Sequence, residues 1–236
     1  MKKIAIITDV HGNDQALIKA LEIIKKEKCD EIISLGDLIG IGPNGNQVLN
    51  IVRVLPNFHT VLGNHEKYFL YGFDNPLSCT DINHQNWIKS QISDINAAYI
   101  KKLNFEYTFT YNNKKIGFLH YAKRKGEKIK FAYIVKNPSI GDLTELYKNY
   151  DYDIIFYGHE HKPSNIKGEK WFINPGSLGC AVSTEGSGMF GILELDEKIT
   201  YREINFNYDD SKVITDMYSK NMPGHEFISK AFYKHQ

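Results

Sequence analysis

The sequence predicts an α/β fold of the α+β type, in one domain with at most a small addition. In the first half of the chain, short apolar runs alternate with segments of helical periodicity, which favours a parallel and mostly buried sheet. In the second half, β-rich segments separated by turn residues dominate. The chain has 236 residues, 42% of them hydrophobic and 24% charged, which is typical of one globular domain of good size.

Three strands and two helices are predicted first. The strands are apolar runs at residues 4–8, 31–36 and 58–63, and a turn rich in polar residues and Gly follows each of them. Between the strands, apolar residues recur at helical spacing in residues 17–29 and 47–55. We therefore expect parallel neighbours whose carboxyl ends lie at one edge of the sheet, where α/β proteins bind their ligands.

A helical insertion is predicted between the two halves, over about residues 66–102. Within it, residues 80–102 have the apolar spacing of one long amphipathic helix. A β-hairpin follows, because two β-rich segments are separated by Asn112 and Asn113, residues that favour tight turns.

The remaining elements are a helix and several strands. A helix is predicted over residues 142–150 and leads into the apolar run 153–156. Further strand-like segments lie at residues 171–177, 189–195 and 198–206. We expect residues 1–208 to form one domain, and the polar residues 209–236 to form a tail that packs on this domain or extends from it.

Charge and cysteine content exclude several classes of protein. Lys and Arg number 29 against 28 Asp and Glu, so the net charge of +1 gives no reason to expect long nucleic acid or a membrane as partner. No apolar run is long enough to span a bilayer. Three widely spaced cysteines without a CxxC pair make a thiolate zinc site or a disulfide framework unexpected, so we expect a cytoplasmic protein. The oligomeric state stays open.

Polar side chains with catalytic or metal-binding potential follow nearly every predicted strand. The stretch YGHEHKP, after residues 153–156, contains His159 and His161. Residues i and i+2 of an extended segment point to the same side, so both rings are expected to reach one region. The full set is Asp9, His11, Asp37, Asn64, His65, His120, His159 and His161. Each alone could be a helix cap or a turn residue, but eight at the same topological position indicate one site.

The chemistry of this set indicates a pair of metal ions. Carboxylate and amide oxygens mixed with imidazole suit Mn²⁺, Fe or Zn²⁺ better than Ca²⁺ or Mg²⁺. Seven or more ligands are too many for a single ion. Two ions about 3.5–4 Å apart are suited to phosphoryl transfer, with one histidine of the GHEH pair for each ion.

The motifs DVHGN, GDLIG, GNHE, the isolated His120 and GHEH resemble those of the calcineurin-like metallophosphoesterases in order and spacing. The longer phrase GDLIGIGPNGNQV and the later NPGS resemble the small prokaryotic phosphoesterase and phosphatase branch. The arginine of the GDxVDRG motif of protein phosphatases is missing. The resemblance implies a four-layer sandwich of two mixed β-sheets flanked by helices.

The resemblance also implies a role for each site residue. Asp9, His11 and His161 hold the first metal. Asn64, His120 and His159 hold the second, and Asp37 bridges the two. His65 is the catalytic residue, which protonates the departing alkoxide or stabilises charge on the phosphoryl oxygens. The expected cofactors are two divalent transition-metal ions, Mn first, with Fe, Zn or Ni as alternatives.

The expected activity is hydrolysis of a small phosphomonoester or phosphodiester by hydroxide, which two cations generate from water by lowering its pKa. Alternatives are a nucleotide or dinucleoside-polyphosphate hydrolase, a protein phosphatase, and an inactive metal-binding scaffold for protein interactions.

Residues near the site offer further substrate contacts. The segment 121–130 is rich in Lys and Arg, and is either a solvated loop or a flap whose Lys123 or Arg124 reaches additional phosphates. Tyr121, which replaces a glycine common in the family, is expected to alter the substrate rim. Tyr68, His84 and Trp87 could form a wall over the site or belong to the core.

Overall fold

The computed structural model describes residues 1–73, 78–124, 130–180 and 185–234, and these form two mixed five-stranded β-sheets flanked by helices. The strands are β1 (Lys2–Ile7), β2 (Glu31–Ser34), β3 (Phe58–Thr60), β4 (Glu106–Tyr111), β5 (Lys114–Leu119), β6 (Ile154–Phe156), β7 (Ser164–Lys167), β8 (Trp171–Asn174), β9 (Ser187–Leu195) and β10 (Ile199–Asn207). The predicted fold class is confirmed.

Eight helices are found in the described ranges. They are α1 (Asp14–Lys26), α2 (Gly45–Val52), α3 (Asn64–Tyr71), α4 (Cys79–Gln91), α5 (Asp94–Ile100), α6 (Ile140–Leu146), α7 (Ser211–Ser219) and α8 (His225–Tyr233). No helix of the described residues is long and apolar enough to cross a bilayer.

Each sheet has a parallel centre. The first sheet has the order β10-β9-β1-β2-β3, in which β1, β2 and β3 are parallel and β9 runs antiparallel to β1. The second has the order β4-β5-β6-β8-β7, in which β5, β6 and β8 are parallel. The carboxyl ends of β1, β2 and β3 therefore share one edge, as do those of β5, β6 and β8.

The alternation of side chains along β1 shows how the layers stack. Ile4 and Ile6 belong to the core between the sheets, which also contains Phe118 and Phe156 with ring centroids 5.1 Å apart. Ile7, on the opposite face of β1, packs against the helices instead. The two faces of one strand thus supply two cores, which is the arrangement of a sandwich with helices outside.

The prediction of one long helix over residues 80–102 is wrong, because this segment forms two helices, α4 and α5. Ile92 has extended backbone angles, and Ser93 precedes the first turn of α5. The Ser93 amide donates to Asn46 Oδ1 at 2.9 Å, and Asn96 Nδ2 donates to the same oxygen at 2.8 Å. The break is therefore fixed by a tertiary contact with α2, which apolar spacing does not record.

The C-terminal segment contains α7 and α8, which the sequence did not predict. Val213, Met217 and Tyr233 of these helices are buried together with Ile41 and Cys180, two residues of loops near the carboxyl ends of the strands. This packing brings the end of the chain against the loop that follows β2.

Candidate metal centre

Asp9, His11 and His161 form a first group of side chains. The Nε2 atoms of His11 and His161 lie 2.8 Å apart. Asp9 Oδ1 lies 3.5 Å from His11 Nε2 and 3.3 Å from His161 Nε2. Asp9 and His11 follow β1, whereas His161 follows β6 of the other sheet, so the group joins the two sheets.

Asn64, His120 and His159 form a second group. His120 Nε2 lies 2.8 Å from Asn64 Oδ1 and 3.2 Å from His159 Nδ1. Asn64 is the first residue of α3 and is buried, and His120 directly follows β5 and is also buried. The two histidines of the GHEH stretch are therefore divided between the groups.

Asp37 lies between the two groups. Its Oδ2 is 3.7 Å from His11 Nε2 in the first group and 3.3 Å from His120 Nε2 in the second. Its Oδ1 accepts a hydrogen bond from the His65 amide at 2.9 Å. One oxygen is thus held by the backbone while the other faces both groups.

The loops that carry these side chains have unusual backbone angles. Positive φ values of 53° at Asp9, 50° at His11 and 53° at Asp37 place these residues in the left-handed region, as do 73° at His159 and 56° at His161. Such conformations cost about 1–3 kcal/mol each and cluster at functional sites. His159 and His161 do not lie in an extended segment as expected, because the chain turns sharply at both, but their rings do reach one region, one in each group.

Neighbouring groups orient the ligand atoms. Thr8 Oγ1 donates to Asp9 Oδ2 at 2.6 Å, and the His159 amide donates to the same oxygen at 3.1 Å. The Nδ1 of His120 lies 2.9 Å from the Leu35 carbonyl oxygen, which can only accept, so Nδ1 carries a proton and Nε2 is the nitrogen left to bind a metal ion. Such second contacts fix the tautomer and direction of metal ligands.

Glu66 is a buried residue that the sequence analysis did not single out. Its Oε2 accepts from the amides of Asp37 and Gly63 at 2.9 and 3.0 Å, and its Oε1 accepts from the Ile39 amide at 3.0 Å. Burial and the nearby Asp37 carboxylate raise the pKa of Glu66 to about 7. The available indication was its place in GNHE, where an acid in the first turn of a helix can bind back to the preceding loop.

Electrostatics within the cluster favour a cation. Burial opposes the ionisation of Asp37, but the imidazoles of His120 and His65 outweigh it and hold the pKa of Asp37 well below its usual range. Burial also opposes a charge on His120, yet Asp37 raises the pKa of His120 to about 9. Burial lowers the pKa of His159 to about 4. Asp37 therefore favours a positive charge beside it, and a metal ion could supply that charge in place of a proton on His120.

The donor atoms present fit divalent metal ions. Asp9 Oδ1 is fully buried and has no hydrogen-bond partner among the described residues, although two imidazole nitrogens lie within 3.5 Å of it. Leaving a buried carboxylate oxygen unpaired is costly, and coordination to a cation removes that cost. The mixture of carboxylate, amide and imidazole suits Mn, Fe, Ni or Zn.

His65 lies beside the first group. Its ring centroid is 4.9 Å from that of His11 in an edge-on arrangement, and burial lowers the pKa of His65 to about 3. A Cβ atom placed on Gly40 would lie 2.1 Å from His65 Nδ1, so the ring packs directly on the backbone of the loop after β2.

The three residues considered as a wall differ in position. Tyr68 contacts His65 with ring centroids 5.7 Å apart, and His84 Nε2 lies 3.2 Å from the Ile41 carbonyl oxygen. Trp87 packs against the hydrophobic core. Tyr68 therefore lies beside His65 of the site, His84 contacts the loop after β2, and Trp87 belongs to the core.

Lys123 and Arg124 are not brought into either group. The Lys123 ammonium lies 4.2 Å from the centre of the Phe105 ring, and the Arg124 guanidinium lies 4.2 Å from that of Tyr133. Both line a cavity of about 750 Å³ beside the edge strand β4. Residues 125–129 of the basic segment lie outside the described residues.

Tyr121 is buried behind the second group, so the expectation that it alters the substrate rim is wrong. Its hydroxyl accepts from the Val135 amide at 3.1 Å, and its ring centroid is 5.1 Å from that of His159. The ring supports a candidate ligand from the protein interior.

Sequence comparisons identify related proteins. The family model described as calcineurin-like phosphoesterase superfamily domain matches residues 1–198. An uncharacterized protein of Methanocaldococcus jannaschii is 28% identical over 242 residues, which covers 93% of each chain. A symmetrical bis(5'-nucleosyl)-tetraphosphatase of Coxiella burnetii is 39% identical over 66 residues, which is 28% of this chain and 23% of that enzyme.

Solved structures share the fold. A metallophosphoesterase from Sphaerobacter thermophilus has a TM-score of 0.75 at 20% identity, over 98% of this chain and 97% of that chain. A hypothetical protein from Pyrococcus horikoshii OT3 has a TM-score of 0.84 at 14% identity, over 100% of both chains. At these identities the likeness concerns the fold alone.

Proposed function

Because the chain belongs to the calcineurin-like phosphoesterase superfamily, we propose that it hydrolyses a small phosphate ester at a site for two divalent metal ions. The observation that carries this proposal is the position of Asp37, whose Oδ2 faces His11 on one side and His120 on the other. A carboxylate oxygen that faces two sets of imidazole nitrogens is suited to bridge two cations.

Seven side chains would hold the two ions. Asp9, His11 and His161 would hold the first, Asn64, His120 and His159 the second, and Asp37 both. When bound, the ions lower the pKa of water so that hydroxide is available at neutral pH, and they neutralise the charge of the phosphoryl group. The left-handed backbone of the loops, the hydrogen bonds that Asp9 Oδ2 and Asp37 Oδ1 accept, and the one that His120 Nδ1 donates would keep the ligand atoms in place.

His65 is the proposed catalytic residue. It lies next to His11 but is held by the Asp37 carboxylate only through its backbone amide, so its ring stays available to substrate. The negative charge of a bound phosphate ester would raise the lowered pKa of this ring, and the ring would then either protonate the departing oxygen or donate a hydrogen bond to the phosphoryl oxygens. Both roles require the ring position that Gly40 permits.

The substrate class is proposed from two features. The net charge of +1 disfavours long nucleic acid, which needs many phosphate contacts. The short similarity to a bis(5'-nucleosyl)-tetraphosphatase favours a nucleotide or dinucleoside polyphosphate as second candidate substrate. An inactive scaffold is disfavoured, because such a protein has no need to retain all seven ligands and His65.

Hydrolysis of chromogenic esters tests the proposal. The purified protein is incubated with p-nitrophenyl phosphate or bis(p-nitrophenyl) phosphate and with Mn²⁺, Zn²⁺, Ni²⁺ or Fe²⁺. We expect turnover that is lost with a chelator and restored when metal is added back. Absence of turnover with every metal and with a panel of nucleotides and dinucleoside polyphosphates contradicts the proposal.

A further inference from the structure

Cys180 lies beside the first group of candidate ligands. Its sulfur is within 4.8 Å of a ring nitrogen of His11 and of one of His161, and its side chain is only 1% exposed. We propose that the Cys180 thiolate is an additional ligand of the metal ion held by Asp9, His11 and His161. This inference rests on the proposed metal centre.

The position of Cys180 is fixed by the backbone. The amides of Leu178 and Gly179 donate to the carbonyl oxygens of Thr8 and Asp9, each at 3.0 Å. A Cβ atom on Gly179 would lie 1.9 Å from the Val10 carbonyl oxygen, so only glycine allows the two segments to lie this close. The segment that carries Cys180 is therefore attached directly to the residues that carry the first group.

Ser177 strengthens this attachment. Its hydroxyl donates to the Asp9 carbonyl oxygen at 2.9 Å and accepts from the Cys180 amide at 3.0 Å. One side chain thus connects the backbone of a candidate ligand to the backbone of the thiol. The arrangement holds Cys180 at a constant distance from Asp9.

An independent feature shows that the first group lacks a partner. Asp9 Oδ1 is fully buried and has no hydrogen-bond partner in the described part of the chain. It lies within 3.5 Å of the Nε2 atoms of His11 and His161, which are themselves 2.8 Å apart. Three donor atoms therefore converge, as around a cation, and the sulfur of Cys180 lies within 4.8 Å of a ring nitrogen of each of the two histidines.

The distances allow coordination after a small adjustment. Zinc lies about 2.0–2.1 Å from imidazole nitrogen and about 2.3 Å from thiolate sulfur, so two such ligands of one ion are at most about 4.4 Å apart. The Cys180 sulfur lies within 4.8 Å of a ring nitrogen of each histidine, which exceeds this limit by about 0.4 Å at most. On binding, the thiol releases its proton to solvent and a sulfur lone pair forms the bond to the metal.

A purely structural role for the thiol makes a different prediction. Cys180 also packs against Ile41, Met217 and Tyr233, where it could serve only as a small apolar side chain. In that role the side chain would contribute no sulfur ligand to the metal. A thiolate ligand instead favours Zn or Fe over Mn at the first position, because sulfur is a soft donor.

Cobalt substitution separates these roles. Co²⁺ bound to a thiolate gives a charge-transfer absorption band in the near ultraviolet, which nitrogen and oxygen ligands do not give. We expect this band in the wild type and in a control variant with Cys29→Ser and Cys79→Ser, whose cysteines belong to no metal-binding group of the described residues. We expect the band to disappear in Cys180→Ser, and Zn²⁺ affinity to fall by at least about tenfold, since loss of even an outer contact costs about 10–100-fold.

X-ray absorption of the wild-type zinc protein gives a test that needs no variant. A sulfur neighbour at about 2.3 Å supports the inference. Two bound zinc ions with only nitrogen and oxygen neighbours overturn it while leaving the proposed function intact, and so does a cobalt band that persists in folded Cys180→Ser. Failure of the protein to bind Co²⁺ or Zn²⁺ at all overturns both the inference and the metal centre.

Discussion

Gly40→Ala should reduce the activity of the protein by displacing the His65 ring, without removing any candidate metal ligand. Gly40 has φ of +89°, and a Cβ atom there would lie 2.1 Å from His65 Nδ1 and 2.4 Å from its Cγ. Ordinary contacts begin near 3.4 Å, so the ring must retreat by more than 1 Å or the loop after β2 must move. A displacement of about 1 Å at a catalytic group can reduce the rate by about 10²-fold.

Gly72→Ala is the matched control. Gly72 also has a positive φ, of +79°, but a Cβ atom there meets no atom of the described residues within 4 Å. Both variants carry the backbone cost of a side chain at positive φ, about 1–3 kcal/mol. Only Gly40→Ala adds the collision with His65, so the comparison isolates that collision from the backbone strain.

The assay is kcat/KM for p-nitrophenyl phosphate with excess Mn²⁺, together with metal content and urea unfolding. We expect Gly40→Ala to lose about 10²-fold in kcat/KM and Gly72→Ala to stay close to the wild type, with both variants folded. If Gly40→Ala keeps wild-type activity, or if Gly72→Ala loses as much, the argument that His65 depends on this contact is refuted.

Three further predictions concern a catalytic residue, the substrate and the C-terminal helices. His65→Ala should keep its metal content and lose about 10²–10⁴-fold in turnover, the range of a general acid, and unchanged turnover would exclude the role. Replacing Lys123 and Arg124 by Ala should raise KM for a dinucleoside polyphosphate by about tenfold or more, if both leave their aromatic partners to contact distal phosphates, and should leave KM for p-nitrophenyl phosphate unaffected. An unchanged KM for both substrates would mean that the segment is a solvated loop. Met217→Ala, in the buried cluster of α7, should reduce the free energy of unfolding by about 2–5 kcal/mol, as measured by urea denaturation, whereas Tyr218→Ala on the exposed side should change it little.

Much of the fold could be predicted from apolar periodicity. The strands β2 and β3 lie within the predicted runs, β1 begins two residues before its run, and the class with two mixed sheets is confirmed. The missed elements had weaker patterns. Val213 and Met217 have the spacing of one helix face in a polar segment, and only their burial against Ile41 shows that this face is part of the core. The division of the chain at residue 208 stays a prediction.

The sequence predicted which residues come together at the site, but not the backbone conformations that orient them. Asp9 and Asp37 share the edge of the first sheet, as the sequence indicated. His120 follows β5 of the second sheet, so the site lies where the edges of two sheets meet and not at one sheet edge as expected. Their roles as ligands stay predictions. The left-handed turns that direct His159 and His161 to different groups could not be predicted, because histidine does not require positive φ. Glu66 was missed because its three hydrogen bonds join loops that are distant in sequence.

Anomalous diffraction from crystals grown with Mn²⁺ shows directly whether the protein binds two metal ions that share Asp37. We expect two manganese peaks about 3.5–4 Å apart, with the Asp37 carboxylate in contact with both. One peak should lie beside Asp9, His11 and His161, and the other beside Asn64, His120 and His159. A single peak, or two peaks that Asp37 does not join, would contradict this expectation.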